Sequence, residues 1–445
     1  MISIRFPWRP LDAHRTKRVL CCLGLFALLS CASSPQFQQK KASPRHWIYQ
    51  ITLTDDFKTI EVNAHNVAIP TARLSYQVAL NSHGFDFPFF ENFQKRSLLL
   101  PTSLWLKAPA SKNIDLAELH FVLPKNTQIS VPWPKGSRGY MVQKDAFLFE
   151  SYALFGEFEK KTFSSNDATF SIARLHGLEK IDWQNIEAWL TSSARAVASL
   201  FGEFPRKHVQ VLLVSSGWSR DTVQLGLAGR GGNASVLFFL AKNATPDALR
   251  KDWVATHELS HFVTPYVKRS DMWISEGIAT YYQEVLRLRA GLQSPEQAWS
   301  NLYLGMRAGQ NGGTGRTLRE ESKETRRTRA YRRVYWAGAA MAMTVDIMSR
   351  MSSDNHKSLD SALQELYKCC GTSKRAWSAE QMASRMDHVF GQSFWGRMTA
   401  RYLDSVDFPE VNSWFRLMGI NRKGKAMEFD DNAPLAFVRK AIEQP

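Results

Sequence analysis

The chain has 445 residues, 44% of them hydrophobic and 22% charged, with a formal net charge of +16. That length allows two or three domains and at least one sizeable core, and the composition excludes a disordered or fibrous chain. Of five cysteines, Cys21 and Cys22 are adjacent, as are Cys369 and Cys370; neighbouring residues make poor disulfide partners, so neither a disulfide framework nor a zinc ribbon is expected.

The first thirty residues read as an export signal. Arg5, Arg9, Arg15, Lys17 and Arg18 precede the apolar run "VLCCLGLFALLS", which is too short to span a bilayer. The run leads into "LLSC", with Leu28 three positions before Cys31. This resembles a bacterial lipobox, which implies cleavage before Cys31 and its lipidation. Ala32 in the following position implies transport to the outer membrane. Residues 31–45 are polar and aperiodic, a tether between lipid and folded protein. Loss of residues 1–30 leaves a charge of +12, and the segment from Arg307 to Arg333 carries +6 of it. No nucleic-acid module accompanies these cations, so nucleic acid is not an expected partner. The segment reads as a solvated basic loop able to meet anionic lipid or polyanionic sugars.

Residues 46–178 hold short alternating runs such as "WIYQITLT", "RLSYQVAL" and "ATFSIARL", separated by turn residues, which predict an antiparallel β-domain. A catalytic region over 179–290 follows. It opens with a helix in "DWQNIEAWLTSSARAVASLFGEFP" and continues with the strand "VQVLLVS" and the Gly-rich "QLGLAGRGGNASVLFFL". "ATPDALRKDWVATHELSHFV" predicts one helix, with Thr245 as N-cap, Pro246 at the first position and Pro265 just past the end. Residues 291–445 form a helical lobe, with starts marked at Ser294, Ser358 and Ser378. The fold class is α+β.

On a helix His257 and His261 project from one face, one turn apart, where two imidazoles can reach one tetrahedral zinc. Glu258 lies beside them, where a carboxylate can take a proton from metal-activated water. A third ligand is needed. Glu276, in the helical "MWISEGIATYYQEVL", is preferred over Asp271, which lies in the polar "VKRSD" connection. Substrate is expected along the Gly-rich strand, at Gly229, Gly231, Gly232 and Asn233, since such strands can pair with a peptide backbone.

HELSH followed by WISEGIATYY resembles the gluzincins, the thermolysin-like zinc peptidases with two His and one Glu ligand. Within them the chain is most similar to the glycyl aminopeptidase family, over residues 185–405, without room for that family's PDZ domain. The resemblance implies Zn2+ held by His257, His261 and Glu276, Glu258 as the base, and peptide or protein substrates. It also implies that Tyr335 hydrogen-bonds the tetrahedral oxyanion, with Tyr331, one turn earlier, as fallback. The chain departs from the relatives in a shorter His261-to-Glu276 spacing and in a Gly-rich strand with no carboxylate, where relatives show a Glu-His-Asn-Ser-like run. That absence bears on recognition of a free N-terminal amine. The expectation is a lipid-anchored zinc peptidase of the cell envelope, aminopeptidase or endopeptidase. Its rival is an inactive relative that binds peptides or surface polymers, against which the intact Glu258 argues.

Overall fold

The computed structural model describes residues 45–80, 97–110, 114–230, 233–373 and 375–444. The export signal, Cys31, the tether, Gly231 and Gly232 lie outside them.

The N-terminal strands are β1 (His46–Leu53), β2 (Thr59–Asn66), β3 (Arg73–Ala79) and β4 (Ser97–Pro101). After a one-turn helix, α1 (Thr102–Trp105), come β5 (Leu116–Val122), β6 (Gln128–Ser130), β7 (Tyr140–Gln143) and β8 (Tyr152–Gly156). They form a five-stranded sheet, β3-β2-β1-β5-β7, and a three-stranded sheet, β4-β8-β6. The inward residues of both, including Tyr49, Ile51, Val62, Leu119 and Phe155, close around Trp105. β1 runs parallel to β5, so the domain is not wholly antiparallel as expected. Alternation shows which face is buried but not which strand lies alongside.

β9 (Glu159–Ser165), β10 (Ala168–Arg174), α2 (Trp183–Ala198), β11 (His208–Ser215), β12 (Val223–Gly229) and β13 (Ala234–Leu240) follow. Their sheet has the order β12-β13-β11-β10-β9, with β10 parallel to β11. β9 and β10 therefore belong to the catalytic sheet, and the boundary expected at 178 moves back to near residue 157. β11 and β13 read as continuous apolar runs because both faces are covered. Val211, Leu213, Val236 and Phe238 pack toward the helices, while Leu212, Val214, Leu237 and Phe239 pack on Leu99 and Leu154 of the three-stranded sheet. β12 ends the order, so one of its edges has no strand partner among the described residues.

The predicted HELSH helix is two helices, α3 (Pro246–Lys251) and α4 (Val254–Ser260). Thr245 caps the first, accepting from Ala248 N–H. Asp252 then accepts from Val254 and Ala255 N–H and starts the second afresh. The rest is α5 (Met272–Arg289), α6 (Pro295–Gln310), α7 (Leu318–Thr328), α8 (Tyr331–Ser352), α9 (Leu359–Cys370), α10 (Ala379–Phe390), α11 (Phe394–Tyr402) and α12 (Asn412–Leu417). A hairpin, β14 (Ile420–Lys423) and β15 (Ala426–Phe429), and α13 (Ala436–Glu443) complete it. Ser294, Ser358 and Ser378 cap α6, α9 and α10 as expected.

Two expectations are corrected here. The basic segment is no loop: α7 runs through it, Arg316 and Arg327 pair with Glu324, Arg319 with Asp404, and buried Arg333 with Glu321. Cys369 and Cys370 are disulfide-bonded at the end of α9. No helix among the described residues is long and apolar enough to cross a membrane.

Candidate metal centre

His257 lies in α4 and His261 one turn later, at the C-cap where the helix tightens into a 3-10 turn, both nearly buried at 4% and 8% exposure. His257 Nδ1 lies 2.8 Å from Gln283 Oε1 on α5. An amide oxygen only accepts, so this contact places the proton on Nδ1 and leaves the Nε2 lone pair free. Glu276, one turn into α5, puts Oε2 at 3.3 Å from His257 Nε2 and 3.4 Å from His261 Nε2. All three donor atoms lie within 4.8 Å of one another. Zinc bonds of about 2.0–2.1 Å in a tetrahedron set donors about 3.3 Å apart, so the spacing of Glu276 from both imidazoles fits that ion. Two imidazoles and one carboxylate are also the donor set that leaves a fourth position for substrate or water.

Electrostatics inside this group favour an ionised ligand. Burial raises the Glu276 carboxyl, but His261 and His257 beside it outweigh that and hold it well below the usual range. Glu258 is not in contact with that donor set as a fourth ligand. Its carboxyl is pushed up by burial, against the pull of the two histidines, and it accepts a hydrogen bond from Ala228 N–H of β12. This close approach requires Gly226, where an added Cβ would fall 2.4 Å from Glu258 Cγ.

Tyr335 arrives from α8. Its ring lies parallel to that of His257, with centroids 6.1 Å apart, and its hydroxyl donates to Glu276. Burial, with the Glu276 and Glu258 charges added, pushes its phenol well above the ordinary range. Tyr331 is 41% exposed and meets only the edge of Tyr335. α8 reaches the site through a glycine contact: a Cβ on Gly277 would lie 2.3 Å from Gly338 carbonyl carbon, and one on Gly338 would lie 2.0 Å from Trp273 O. Gly277 follows Glu276 directly and Gly338 lies one turn after Tyr335, so the crossing sets their distance.

The other sequence candidates are placed as follows. Asp271 turns away from the centre and accepts from Ala379 N–H, outside the donor cluster. Gly229 ends β12 buried against Ser151, where a Cβ would come within 2.9 Å of Oγ. Asn233 lines a cavity of about 130 Å³ with Arg206, Arg230 and Tyr266. Arg230 donates to the carbonyls of His261 and Thr264. Burial, together with the Arg206 guanidinium, lowers its pKa to about 9. On the opposite flank, Trp253, Leu304, Tyr335 and Trp336 line a cavity of about 320 Å³.

Gln283, Gly226, Gly338 and Arg230 are the supporting residues that spacing alone passes over. Gln283 carries a usable signal, because it stands seven residues after Glu276 and so shares its helix face.

Residues 255–350 match the family model described as M61 glycyl aminopeptidase. No curated protein matches the chain by sequence. Among solved structures it is similar to an aminopeptidase N family protein from Idiomarina loihiensis, at 14% identity and a TM-score of 0.64, covering 84% of this chain and 78% of that one. It is also similar to the M1 zinc metallopeptidase from Deinococcus radiodurans, at 14% identity and a TM-score of 0.52, covering 82% and 96%. A mutant of the latter enzyme bound to a Tyr-Ser-Ala substrate matches at 13% identity, a TM-score of 0.53 and the same coverage. The fold is that of the two-domain M1 metallopeptidases, and with the matched region 255–350 the chain is a zinc peptidase of the gluzincin type.

Proposed function

We propose that this zinc peptidase hydrolyses peptides laid as an added strand along the free edge of β12, and that it works in the bacterial envelope, anchored through lipid on Cys31. The observation that carries the reading is the convergence of four elements on one point. α4 and the turn that caps it bring His257, Glu258 and His261, α5 brings Glu276, α8 brings Tyr335, and β12 brings an outward backbone N–H at Ala228.

His257, His261 and Glu276 would hold the zinc, with Gln283 fixing the His257 tautomer. When bound, zinc supplies a Lewis acid that acidifies water and polarises a carbonyl. Glu258 takes the water's proton and passes it to the leaving nitrogen, and its raised carboxyl pKa suits both halves of that task. Tyr335 turns its hydroxyl to the carbonyl oxygen as negative charge develops there. The buried walls exclude water and keep these hydrogen bonds strong. Export and anchoring are supported by the basic n-region, the twelve-residue apolar run and Cys31.

Glu258→Gln keeps the side chain's shape and removes the base. Turnover on a cleaved peptide should fall by at least about 10²-fold with zinc retained. Near-normal turnover in that variant would overturn the mechanism and favour the peptide-binding rival.

A further inference from the structure

The cavity of about 320 Å³ beside Tyr335 lies between α4, α5, α6 and α8 and falls within the size of pockets that hold a ligand. Its walls are mainly aromatic: Trp253 comes from the start of α4, Tyr335 and Trp336 from α8, and Leu304 of α6 adds an aliphatic side. Trp253 and Leu304 are 45% and 44% exposed, which puts the mouth at the surface. A glycine holds the third ring back. A Cβ on Gly305 of α6 would fall 2.1 Å from the Trp336 indole, so any other residue there would drive that ring off α6.

The floor excludes a charged occupant. Glu284 accepts from Gln283, Gln293 and Asn301 and lies 3.7 Å from Arg287, so its charge is already met. The side-chain oxygens of Gln283 and Asn301 accept from His257 and Gln297. On that floor only Thr280 has a buried hydroxyl without a hydrogen-bond partner among the described residues. Such a lining suits a neutral side chain with a broad apolar face.

The cavity also adjoins the reacting centre. Thr280 stands one turn after Glu276 on α5, and Gln283 nearly a turn after Thr280, so the floor runs along the helix away from the ligand. Trp253 meets the His257 ring edge-on with centroids 5.7 Å apart, and Tyr335 lies parallel to the same ring at 6.1 Å. A carbonyl whose oxygen meets the Tyr335 hydroxyl belongs to the cleaved bond, and a side chain flanking that bond then lies beside the Tyr335 ring. We infer that this cavity is the subsite for an aromatic side chain flanking the cleaved bond, making the enzyme selective for phenylalanine, tyrosine or tryptophan there. The inference rests on the peptidase reading above.

The test uses one hexapeptide with phenylalanine, leucine or alanine in turn at each of its two central positions, with cleavage read by mass spectrometry. At one of the two positions, kcat/KM for the phenylalanine form should exceed that of the alanine form by about 10- to 100-fold, as for burial of a large apolar side chain, with leucine between. The position that shows the preference tells which side of the bond the cavity serves. Trp253→Ala removes one wall and should lower that ratio by at least about 3-fold. Leu304→Trp fills the mouth and should bring it to about 2 or below. A merely structural role for either residue would lower kcat/KM for all forms alike and leave the ratio unmoved, which overturns the subsite. Should Trp253→Ala fail to fold, judged by thermal melting, Leu304→Trp decides. A second arm measures binding of the same labelled peptides to Glu258→Gln by fluorescence anisotropy, independently of turnover. Phenylalanine-dependent binding without cleavage by the wild type upholds the aromatic subsite and sinks the peptidase reading. Cleavage with equal kcat/KM for the phenylalanine and alanine forms at both positions overturns the subsite alone, as does equal binding of the two forms where nothing is cleaved.

Discussion

Gly338→Ala offers a direct test of the helix crossing that positions Tyr335. On an isolated helix alanine is favoured over glycine by about 1 kcal/mol, so propensity alone predicts stabilisation. The packing predicts the reverse. The new Cβ would lie 2.0 Å from Trp273 O, whereas ordinary contact begins at 3.4 Å, so the helices must part by roughly 1.4 Å at that point. Overpacking of this kind costs about 1–3 kcal/mol and the blocking atom is backbone, which cannot rotate away, so the clash should win. α5 is held on its other side by the Gln283–His257 hydrogen bond. α8 should therefore take up most of the movement and carry Tyr335 outward. A displacement near 1 Å costs about 10²-fold in rate, so Gly338→Ala should lose activity to the extent that Tyr335→Phe does. Zinc should stay near one per chain, since none of the ligands lies on α8. The assay pairs a melting curve with kcat, KM and metal content for wild type, Gly338→Ala and Tyr335→Phe. Full kcat and an unchanged melting temperature in Gly338→Ala would refute the claim that this crossing sets the site.

Metal analysis of the wild type should give one zinc per chain, falling sharply in His261→Ala and in Glu276→Ala; a Glu276→Ala protein with full zinc would remove that ligand from the set. Labelling with a fatty-acid analogue in cells should mark the wild type and miss Cys31→Ala, and equal labelling of both would end the lipoprotein reading.

The chemistry-bearing residues were legible because their geometry is local. His257, Glu258 and His261 follow from helix periodicity, and Glu276 was preferred over Asp271 for its place on a helix; the structure puts Asp271 in the connection, against Ala379. What was not legible depends on contacts between distant segments. The parallel pairing of β1 with β5, and the membership of β9 and β10 in the catalytic sheet, are choices of neighbour that alternation does not encode. The break between α3 and α4 was hidden because Asp252 caps a helix from inside a helical pattern. Gly226 and Gly338 look like any small residue until the strand or helix facing them is known. The basic segment is helical and not a loop, because Thr317 and Glu320 form a capping box that starts α7 inside it, while seven of its nine cations stay exposed to solvent.

The end of the cleft beyond β12 bears on which terminus of a peptide the enzyme tolerates. Recognition of a free α-amine needs a carboxylate placed for it. Among the described residues near the metal centre, Glu276 is committed to the two histidines and Glu258 to the proton transfer. Glu284, on the wall of the cavity beside Tyr335, accepts from Gln283, Gln293 and Asn301. The strand itself, Val223–Gly229, carries no acidic side chain, and Arg206 and Arg230 stand at its far end. Two guanidiniums at that end repel an ammonium brought near them. Acetylating the N-terminus of a good substrate should therefore leave kcat/KM within about 3-fold of the free peptide, whereas an enzyme anchored on the amine would lose about 10²-fold. The measurement is kcat/KM for one peptide in both forms, with cleavage positions read by mass spectrometry. A loss near 10²-fold on acetylation would place an amine acceptor in the cleft that none of these three carboxylates supplies, and would refute the charge argument made from the two arginines.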